Sequence, residues 1–447
     1  MGASAPFANG HQALQYLYGL TDYERLRKPR DAAASVFGLG RMERLLDSLG
    51  HPERCLRAIH IAGTKGKGST AAMTAAILQQ AGARVGLYTS PHVLCVRERI
   101  MIDGQWIPEG RIAAHLNHLH PYLEASRTRG DTYLPTFFET FTVMAFLDFV
   151  AQRTDFAVLE VGLGGRLDAT NVVTPLACGI THVSFDHTEK LGTTLDSIAG
   201  EKAGILKPAV PAVVAPQEPE ALAAIRRRAA ELRAPVTLVG RDVTFADGDG
   251  DLSVTTPRRT YEALHLPLVG RHQRTNAATA IALAEEAAAA ADRPLSVEAV
   301  RDGLAAVRWR ARIETVAERP TVVVDAAHNV ASIRALLATL EQRFSYRRLL
   351  LVFGIAADKD VDSVLRELAP KASLVVCTRA NSPRACPPDD LAGRLAALGI
   401  EAVACEKPVE ALALARQQAQ PDDLVCVAGS FYLAGDILAA LDDHPLH

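Results

Sequence analysis

The segment IHIAGTKGKGSTAAMTAAILQQA, residues 59–81, carries the strongest structural signal in the chain. Residues 59–62 predict a short buried strand, the glycine- and lysine-rich residues 63–68 a tight turn, and the alanine-rich remainder a helix from Ser69 to Ala81. Glycines allow backbone N–H groups to point at an anion, and a helix N-terminus adds the positive end of its dipole. Because Lys67 can also place a charge on outer phosphates, the segment predicts a nucleotide-binding loop.

Spacing within this loop departs from the strict pattern G-x-x-x-x-G-K-[ST]. Gly63 lies four residues before Lys67, closer than the pattern requires, and Gly68 separates Lys67 from Ser69. A glycine- and lysine-rich turn can also be a plain surface connection. The strand before it and the helix after it favour the nucleotide-binding interpretation.

Outward from the loop, short β-branched segments alternate with Ala/Leu-rich segments, which predicts an α/β fold with mostly parallel sheets. Strands of the first part are predicted at residues 57–62, 84–88, 156–161, 178–185 and 212–215, with a β-hairpin excursion over 242–259. A polar break at Trp309 to Arg312 precedes a second series, with strands predicted at 321–324, 348–353, 373–377 and 423–427. We therefore expect two α/β domains, residues 1–308 and a smaller one at 309–447, with a ligand in the cleft between them.

Composition argues against several classes of protein. The 447 residues are 49% hydrophobic and 22% charged, with 48 Lys+Arg against 51 Asp+Glu and a net charge of −3. No broad basic surface for nucleic acid or an anionic membrane is expected, and 5% aromatic residues are too few for a base-stacking platform. The 7 cysteines form no C-x-x-C pair, and neither a secretory leader nor a membrane-spanning run is expected. These features favour a cytoplasmic protein.

Three polar residues stand where predicted buried strands end. Ser90 and His187 each follow a predicted strand, and Glu160 interrupts one. A buried ionised carboxylate requires a cation or a close partner, and Mg²⁺ prefers oxygen ligands. Taken alone, His187 is better explained as a core or capping residue, and Glu160 could pair with Arg166. Together with a phosphate loop upstream, the three residues predict a metal site.

Two further features have alternative interpretations. The glycine-rich residues 162–165 lead to Asp168, which could accept a hydrogen bond from a polar ring or merely cap the next segment. Glu201 and Lys202 lie on a helix predicted over 194–204. On composition alone, they are better explained as a solvated ion pair.

Several motifs occur together and in a recognisable order. They are GTKGKGST at 63–70, SPH at 90–92, PTFFE at 135–139, LEVGLGGRLDATNV at 159–172, DHT at 186–188, EKAGI at 201–205, NAAT at 276–279, RIE at 312–314, DAAHN at 325–329 and GS at 429–430. This series resembles the folylpolyglutamate synthase/dihydrofolate synthase family of the Mur ligase superfamily and covers most of the chain. The resemblance implies a two-domain Mur-ligase-like α/β fold, with a P-loop NTPase-type N-terminal domain that binds ATP and the pterin and a Rossmann-like C-terminal glutamate ligase domain.

The resemblance also implies roles for individual residues. ATP would be held by Gly63, Thr64, Lys65, Gly66, Lys67, Gly68, Ser69, Asn276, Arg312 and Asp325. A pair of Mg²⁺ ions would be bound through Ser90, Glu160, His187 and Lys202, the last carbamylated by CO₂. The pterin would lie against Ser35, Val36, Phe37, Thr136, Phe137, Phe138, Glu139, Leu167, Asp168 and Ala169. Catalysis would involve Lys67, Lys202 and His328, with His328 and Ser430 near the incoming glutamate.

The reaction implied by the resemblance is ATP-dependent amide formation in folate biosynthesis. L-Glutamate would be added to dihydropteroate, to the glutamate tail of tetrahydrofolate, or to both, through an acyl phosphate. The implied partners are these small molecules, and we expect a monomer that binds neither nucleic acid nor a membrane. Lys65 stands where many bacterial members have Asn, and Ala311 where Gly usually precedes the arginine. Neither departure removes a charged or metal-binding group.

Alternative functions remain within and outside this family. The chain could be a folylpolyglutamate synthase only, or a Mur-type ligase for a cell-wall precursor or another amino-acid-bearing substrate. Residues 135–139 and 167–169 argue against the second alternative, because they match the family's pterin-binding positions. A regulatory nucleotide-binding module without ligase activity would lack the metal and C-terminal residues, yet these are present.

Overall fold

The computed structural model describes residues 6–22, 38–130, 133–247 and 251–442 of the chain. It has two α/β domains, each built around its own sheet. The last helix of the N-terminal domain ends at Ala306, and the first strand of the C-terminal domain begins at Glu314. The polar break predicted at Trp309 to Arg312 is therefore the connection between them.

Eight strands form the main sheet of the N-terminal domain. They are β1 (Ala58–Ala62), β2 (Val85–Tyr88), β3 (Ile100–Ile102), β4 (Gln105–Trp106), β5 (Phe156–Glu160), β6 (Ala177–Ile180), β7 (Ala212–Val214) and β8 (Val236–Leu238). Their order is β4-β3-β2-β5-β1-β6-β7-β8, parallel throughout except for β3 and β4 at one edge. A small antiparallel sheet follows, made of β9 (Thr244–Asp247), β10 (Leu252–Thr255) and β11 (Thr260–Leu264). The expected hairpin at 242–259 is thus extended by a third strand.

Helices cover both faces of the main sheet. They are α1 (Gly10–Tyr18), α2 (Gly40–Ser48), α3 (Lys67–Gln80), α4 (Glu109–Arg129), α5 (Phe137–Ala151), α6 (Thr188–Leu191), α7 (Leu195–Ala203), α8 (Pro219–Glu231), α9 (Arg271–Ala290) and α10 (Val297–Ala306). Ile59 and Ile61 of β1 belong to the core formed with α3 and α9, whereas Ala58 belongs to the core on the opposite face, with α5. Successive side chains of β1 thus point to opposite faces of the sheet, and because helices cover both faces, the central strands are buried on both sides.

The C-terminal domain repeats the same layering around six strands. They are β12 (Glu314–Glu318), β13 (Thr321–Val324), β14 (Leu349–Phe353), β15 (Leu374–Cys377), β16 (Ala402–Ala404) and β17 (Leu424–Ala428), in the order β12-β13-β17-β14-β15-β16. Only β12 is antiparallel to its neighbour. The surrounding helices are α11 (Val330–Arg343), α12 (Val361–Leu368), α13 (Pro388–Ala397), α14 (Pro408–Gln418) and α15 (Phe431–Leu441).

Several elements differ from the sequence prediction. Helix α3 begins at Lys67 rather than Ser69, so the lysine itself lies in the first helical turn. Strand β6 ends at Ile180, and the apolar residues after it form a loop in which Phe185 is 56% exposed. Strands β3, β4, β8, β12 and β16 were not expected, because β4, β8, β12 and β16 lie at sheet edges and β3 has only three residues. In the described part of the chain, no helix combines the length and apolar character needed to cross a bilayer.

Candidate active site

A cleft of about 1760 Å³ lies between the two domains and is lined by residues of both. The loops after β1, β2, β5 and β6 form its N-terminal wall, and the loops after β13, β14 and β17 form its C-terminal wall. Carboxyl ends of parallel strands share one edge of a sheet, which is where open α/β sheets bind ligands. Two such edges therefore face a single cavity.

The phosphate loop, defined as residues 63–69, runs from the end of β1 into the first turn of α3 and lines the cleft over its whole length. Two of its backbone N–H groups donate to the carbonyl oxygen of His182, at 2.9 and 3.1 Å, which ties the loop to the segment after β6. Gly66 is the N-cap of α3 with φ of 88°, and a Cβ there would overlap the amide oxygen of Asn276. Only glycine fits this turn. The predicted residue Asn276 on α9 is thereby placed directly against the loop.

Two lysines of the phosphate loop lie near carboxylates. The Nζ atom of Lys67 is 3.9 Å from Oε1 of Glu160, and that of Lys65 donates to Oδ2 of Asp186 at 3.0 Å. Burial lowers the pKa of Lys65 to about 8, against the opposing charge of Asp186. Both ammonium groups lie at the N-terminus of α3, whose dipole also favours an anion. The loop is therefore suited to bind phosphates.

Of the predicted metal ligands, Ser90 and Glu160 are in contact. The backbone N–H of Ser90 donates to Oε2 of Glu160 at 3.2 Å, and both residues line the cleft. Burial raises the pKa of Glu160, and the charge of Lys67 opposes this only in part. The alternative partner, Arg166, instead bonds Glu201 at 2.8 Å, so the Glu160–Arg166 pairing was wrong.

His187 lies on the same cavity, at the N-terminal end of α6. Its side chain is partly exposed, so the core explanation was wrong. His187 does occupy the N-cap position of α6, but its imidazole makes no capping hydrogen bond, so capping does not explain the side chain. Partial burial and the charge of Lys359 lower its pKa to about 3, which keeps the imidazole neutral near pH 7. Over the described residues, no three His, Cys, Asp or Glu side chains form a metal-binding group. A cation here would therefore need the Ser90 hydroxyl or oxygens of a bound ligand.

Lys202 is buried in the last turn of α7 and also lines the cleft. Its Nζ atom donates to the carbonyl oxygen of Gly63 at 2.9 Å, whereas Glu201 points away to Arg166. The solvated Glu201–Lys202 pair was therefore wrong. Burial and, to a smaller extent, the charge of Lys67 lower the pKa of Lys202 to about 7. A substantial neutral fraction of the amine follows at physiological pH.

Most of the predicted pterin-binding residues that the structure describes line one end of the cleft. Thr136 and Glu139 cap α5 reciprocally: the Thr136 side chain accepts from the Glu139 N–H, and Oε2 of Glu139 accepts from the Thr136 N–H at 2.8 Å. Nε of Arg41 donates to the same Glu139 oxygen at 2.9 Å. The Glu139 carboxylate therefore organises this wall. The cleft is also lined here by Phe138, Leu167, Asp168 and Ala169.

Phe137 does not line the cleft. Its ring is buried between Tyr18 and Phe141, at centroid distances of 6.0 and 5.5 Å. Phe137 therefore supports the wall from behind. Ser35, Val36 and Phe37 lie outside the described residues.

Asp168 caps the next segment, as one of the two interpretations expected. Its Oδ1 accepts from the Thr170 N–H at 3.0 Å and from the Thr170 hydroxyl at 2.6 Å, while Oδ2 accepts from the Leu163 N–H at 2.9 Å. Nε2 of His60 lies 2.8 Å from the same Thr170 hydroxyl oxygen. Because that hydroxyl already donates its proton to Asp168, the imidazole donates to it. A buried chain from His60 through Thr170 thus holds a carboxylate at the cleft surface.

The C-terminal wall brings together Arg312, Asp325, His328 and Ser430. Asp325 accepts backbone hydrogen bonds at 2.9 and 2.7 Å, and the Arg312 guanidinium lies 4.9 Å from the centre of the Phe431 ring. Nδ1 of His328 lies 2.8 Å from the Ala326 carbonyl oxygen, so Nδ1 carries the proton and Nε2 keeps its lone pair.

Burial and the charges of Lys65 and Lys359 lower the pKa of His328 well below its ordinary value. Ser430 caps α15 by accepting from the Leu433 N–H at 3.0 Å. The cleft thus has a neutral imidazole on its C-terminal wall, opposite the phosphate loop.

Asp186 and Lys359 line the cleft and Asn329 bonds Asp186 at its edge, and none of the three received a predicted role. Asp186, Asn329 and Lys359 meet across the cavity, where both Nδ2 of Asn329 and Nζ of Lys359 donate to Asp186. Lys359 follows a buried strand, which is the same signal that identified Ser90. Asp186 and Asn329 lie within quoted motifs, but nothing in the local pattern indicates that they meet.

Comparison with known proteins covers both domains. The chain matches the Mur ligase middle domain over residues 61–284 and the Mur ligase, glutamate ligase domain over residues 311–431. The dihydrofolate synthase/folylpolyglutamate synthase of Bacillus subtilis (strain 168) is 38% identical over 409 residues, which is 90% of this chain and 94% of that protein. The protein of the same name from Escherichia coli (strain K12) is 34% identical over 405 residues, 91% of each chain.

Solved structures give the same result. Escherichia coli FolC in complex with DHPP and ADP has a TM-score of 0.86 at 32% identity, over 99% of both chains. Mycobacterium tuberculosis folylpolyglutamate synthase complexed with ADP and AMPPCP has a TM-score of 0.88 at 32% identity, over 98% of this chain and 100% of that one.

Proposed function

This chain belongs to the dihydrofolate synthase/folylpolyglutamate synthase family of Mur ligases, and on this basis we propose that it adds L-glutamate to dihydropteroate and to the glutamate tail of tetrahydrofolate at the expense of ATP. One observation carries the proposal: the phosphate loop and Lys202 share a cleft with Asp325 and His328. Glutamate ligation requires a triphosphate, an acid and an amine to meet. The two walls of this cleft offer suitable groups for each.

The reaction consists of two bond exchanges. A carboxylate oxygen of the pterin substrate attacks the γ-phosphorus of ATP, and an acyl phosphate forms as the bond to ADP breaks. The amine nitrogen of glutamate, after losing a proton, attacks the acyl carbon, and the tetrahedral intermediate releases phosphate to leave the amide. Because carboxylate and triphosphate are both anions, the protein must first reduce their repulsion.

We assign that task to the phosphate loop. Lys67 and Lys65 supply positive charge near the outer phosphates, and the loop N–H groups and α3 dipole add to it. Asn276, Arg312 and Asp325 complete the nucleotide site in this proposal. They reach it from different elements, so the site is complete only when both domains meet.

Ser90, Glu160 and His187 fit a divalent cation such as Mg²⁺. The Glu160 carboxylate is buried beside the loop with a raised pKa, so Lys67 alone does not compensate its charge, and neutral His187 has a lone pair to offer. Bound there, Mg²⁺ would neutralise phosphate charge and align the transferred group. The chain's contribution is to hold these donors beside Lys67.

Lys202 is proposed to be carbamylated. Its neutral amine nitrogen attacks the carbon of CO₂, an N–C bond forms, and one proton is released, so that a cation becomes an anion. Burial and the pKa of about 7 favour the neutral amine that this step requires. The resulting carboxylate could hold a second Mg²⁺ close to Gly63, whose carbonyl the side chain now contacts.

The pterin is assigned to the end of the cleft lined by Thr136, Phe138, Glu139, Asp168 and Ala169. Asp168 is buried there, and its carboxylate is oriented by the chain from His60. Such a carboxylate can accept hydrogen bonds from the amino and ring N–H groups of a pterin. Phe138 and Leu167 supply apolar surface beside it.

The incoming glutamate is assigned to the C-terminal wall. Neutral His328 has an Nε2 lone pair that can accept a hydrogen bond from the glutamate amino group and orient its nitrogen toward the acyl carbon. Ser430 offers a hydroxyl beside it. Closure of the domains would then keep water from the acyl phosphate.

We also propose a division of the chain into residues 1–308, which bind ATP and the pterin, and 309–447, which bind glutamate. A monomer suffices for this chemistry, because residues of one chain line every part of the cleft. The proposed location is cytoplasmic, where ATP and folates are available.

Product analysis by mass spectrometry tests the proposal. Purified protein with ATP, Mg²⁺ and L-glutamate should convert dihydropteroate to dihydrofolate and extend tetrahydrofolate by glutamate. Extension without conversion would restrict the function to folylpolyglutamate synthase. ADP release with a muramyl substrate and none with either pterin would identify a cell-wall ligase instead.

A further inference from the structure

Asp186 accepts three side-chain hydrogen bonds from both sides of the cleft, in addition to one from the backbone N–H of His187. Lys65 donates to Oδ2 at 3.0 Å, Asn329 donates to Oδ2 at 3.0 Å, and Lys359 donates to Oδ1 at 3.2 Å. Lys65 belongs to the phosphate loop, whereas Asn329 caps α11 and Lys359 follows β14 in the C-terminal domain. A single carboxylate thus joins the nucleotide side to two elements of the opposite domain.

These contacts are well shielded from water. The Asp186 and Lys359 side chains are 11% and 14% exposed. Burial raises the pKa of Asp186, but the charges of Lys65 and Lys359 outweigh it and leave the pKa below its ordinary value. Ion pairs of this kind are less screened than those on the surface.

Three other ion pairs at the cleft each stay within one domain. Arg166 bonds Glu201 and Lys67 approaches Glu160, all in the N-terminal domain. Arg384 bonds Asp358 within the C-terminal domain. The cross-domain contact at Asp186 is therefore different in kind.

We propose that Asp186 is a positioning residue that couples docking of the C-terminal domain to the placement of Lys65 in the phosphate loop. The inference rests on the proposed function, because its consequence is shelter of the acyl phosphate. With Asp186 in place, the C-terminal domain and the phosphate-binding lysine adopt their working positions together. Without it, the cleft opens more often while the intermediate is present.

An open cleft has a measurable chemical consequence. Water attacks the acyl phosphate, which returns the original carboxylate and releases phosphate. ATP is then consumed without formation of an amide. The ratio of ADP released to amide formed therefore reports the coupling directly, whereas a general loss of stability would lower both products together.

The experiment measures ADP and amide in the same reaction. We expect equal amounts from the wild type and a several-fold higher ADP-to-amide ratio from Asp186→Asn and from Lys359→Met. The double variant should be no worse than either single one, because both remove the same interaction. Asp362→Asn is the matched control, since this exposed carboxylate bonds Arg394 within the C-terminal domain, and it should keep the wild-type ratio.

A wild-type ratio in Asp186→Asn would overturn the inference. So would a raised ratio in Asp186→Asn with an unchanged one in Lys359→Met, because the cross-domain contact would then be irrelevant. Circular dichroism checks that each variant is folded. If one of them does not fold, Asn329→Ala is used in its place, and it is expected to raise the ADP-to-amide ratio by a smaller factor. Failure of the proposed function is distinguishable, since the wild type itself would then release no glutamate-dependent ADP.

Discussion

The Nζ atom of Lys202 donates a hydrogen bond to the carbonyl oxygen of Gly63, at 2.9 Å, so the last turn of α7 contacts the first residue of the phosphate loop. The two residues are separated by 139 positions in the chain. A change of charge at this amine would therefore act within the phosphate site. This contact motivates the first prediction.

Lys202→Ala should reduce turnover by about 10²-fold or more, because an anion formed from this residue would be lost. Added formate or acetate should restore part of the activity by supplying a carboxylate. Since the pKa is about 7, the neutral amine becomes scarcer as pH falls, so bicarbonate should stimulate the wild type more at about pH 6 than at about pH 8. Full activity in CO₂-free buffer would contradict the carbamate.

Gly66→Ala should weaken ATP binding and raise the KM for ATP at least about 10-fold, because strain at positive φ is joined by overlap with Asn276. Gly82→Ala is the matched control, since Gly82 has φ of 79° just beyond the other end of α3 and open space around its Cβ position. It should lose about 1–2 kcal/mol of stability and keep the KM for ATP. Steady-state kinetics and chemical denaturation measure both quantities.

Lys67→Met and Glu160→Gln should each lower kcat/KM by about 10²–10³-fold, because each removes a charge next to the transferred phosphoryl group. Glu160→Gln should also raise the Mg²⁺ concentration that gives half-maximal velocity, whereas Lys67→Met should not. Lys371→Met, at an exposed pair with Glu341, is the control and should behave as wild type. Near wild-type turnover in either cleft variant would refute its assignment.

Thr170→Val should weaken binding of the pterin substrate about 10-fold and lower the free energy of unfolding by about 2 kcal/mol, because it leaves buried groups of His60 and Asp168 unpaired. Thr140→Val is the matched control. The Thr140 hydroxyl is buried and has no hydrogen-bond partner among the described residues, so its loss should be nearly neutral. Fluorescence titration and denaturation give the two quantities, and equal behaviour of the variants would refute the chain of hydrogen bonds.

His60→Gln should make the free energy of unfolding less dependent on pH below about pH 7. Burial lowers the pKa of His60 to about 3 in the fold, so the unfolded state binds the proton first and stability falls with pH below about 6.5. Between about pH 7 and pH 5 the wild type should lose about 2 kcal/mol that the variant keeps. His118→Gln, at an exposed histidine, should retain the wild-type slope. Denaturant titrations at about pH 7 and pH 5 measure this loss, and an equal loss in the wild type and in His60→Gln would contradict the prediction.

Much of the fold was predictable from local pattern. The strand before Gly63 and the helix after it were found within two residues of their ends, because hydrophobic periodicity and glycine placement act over short distances. Edge strands β12 and β16 were not found, since a strand with one exposed face has a weak apolar signal. Strand β6 was predicted to be too long for the opposite reason, because Phe185 is apolar yet exposed.

By itself, the sequence determined the two α/β domains, the phosphate loop and the candidate residues around it, all of which depend on neighbours in the chain. Only the tertiary structure decided that Lys202 is buried, that Phe137 supports the cleft wall from behind, and that Asp186 contacts Lys359 across 173 positions. Burial and long-range pairing depend on how complete sheets and helices pack against one another. Residue types alone do not specify which of several carboxylates a given lysine will meet.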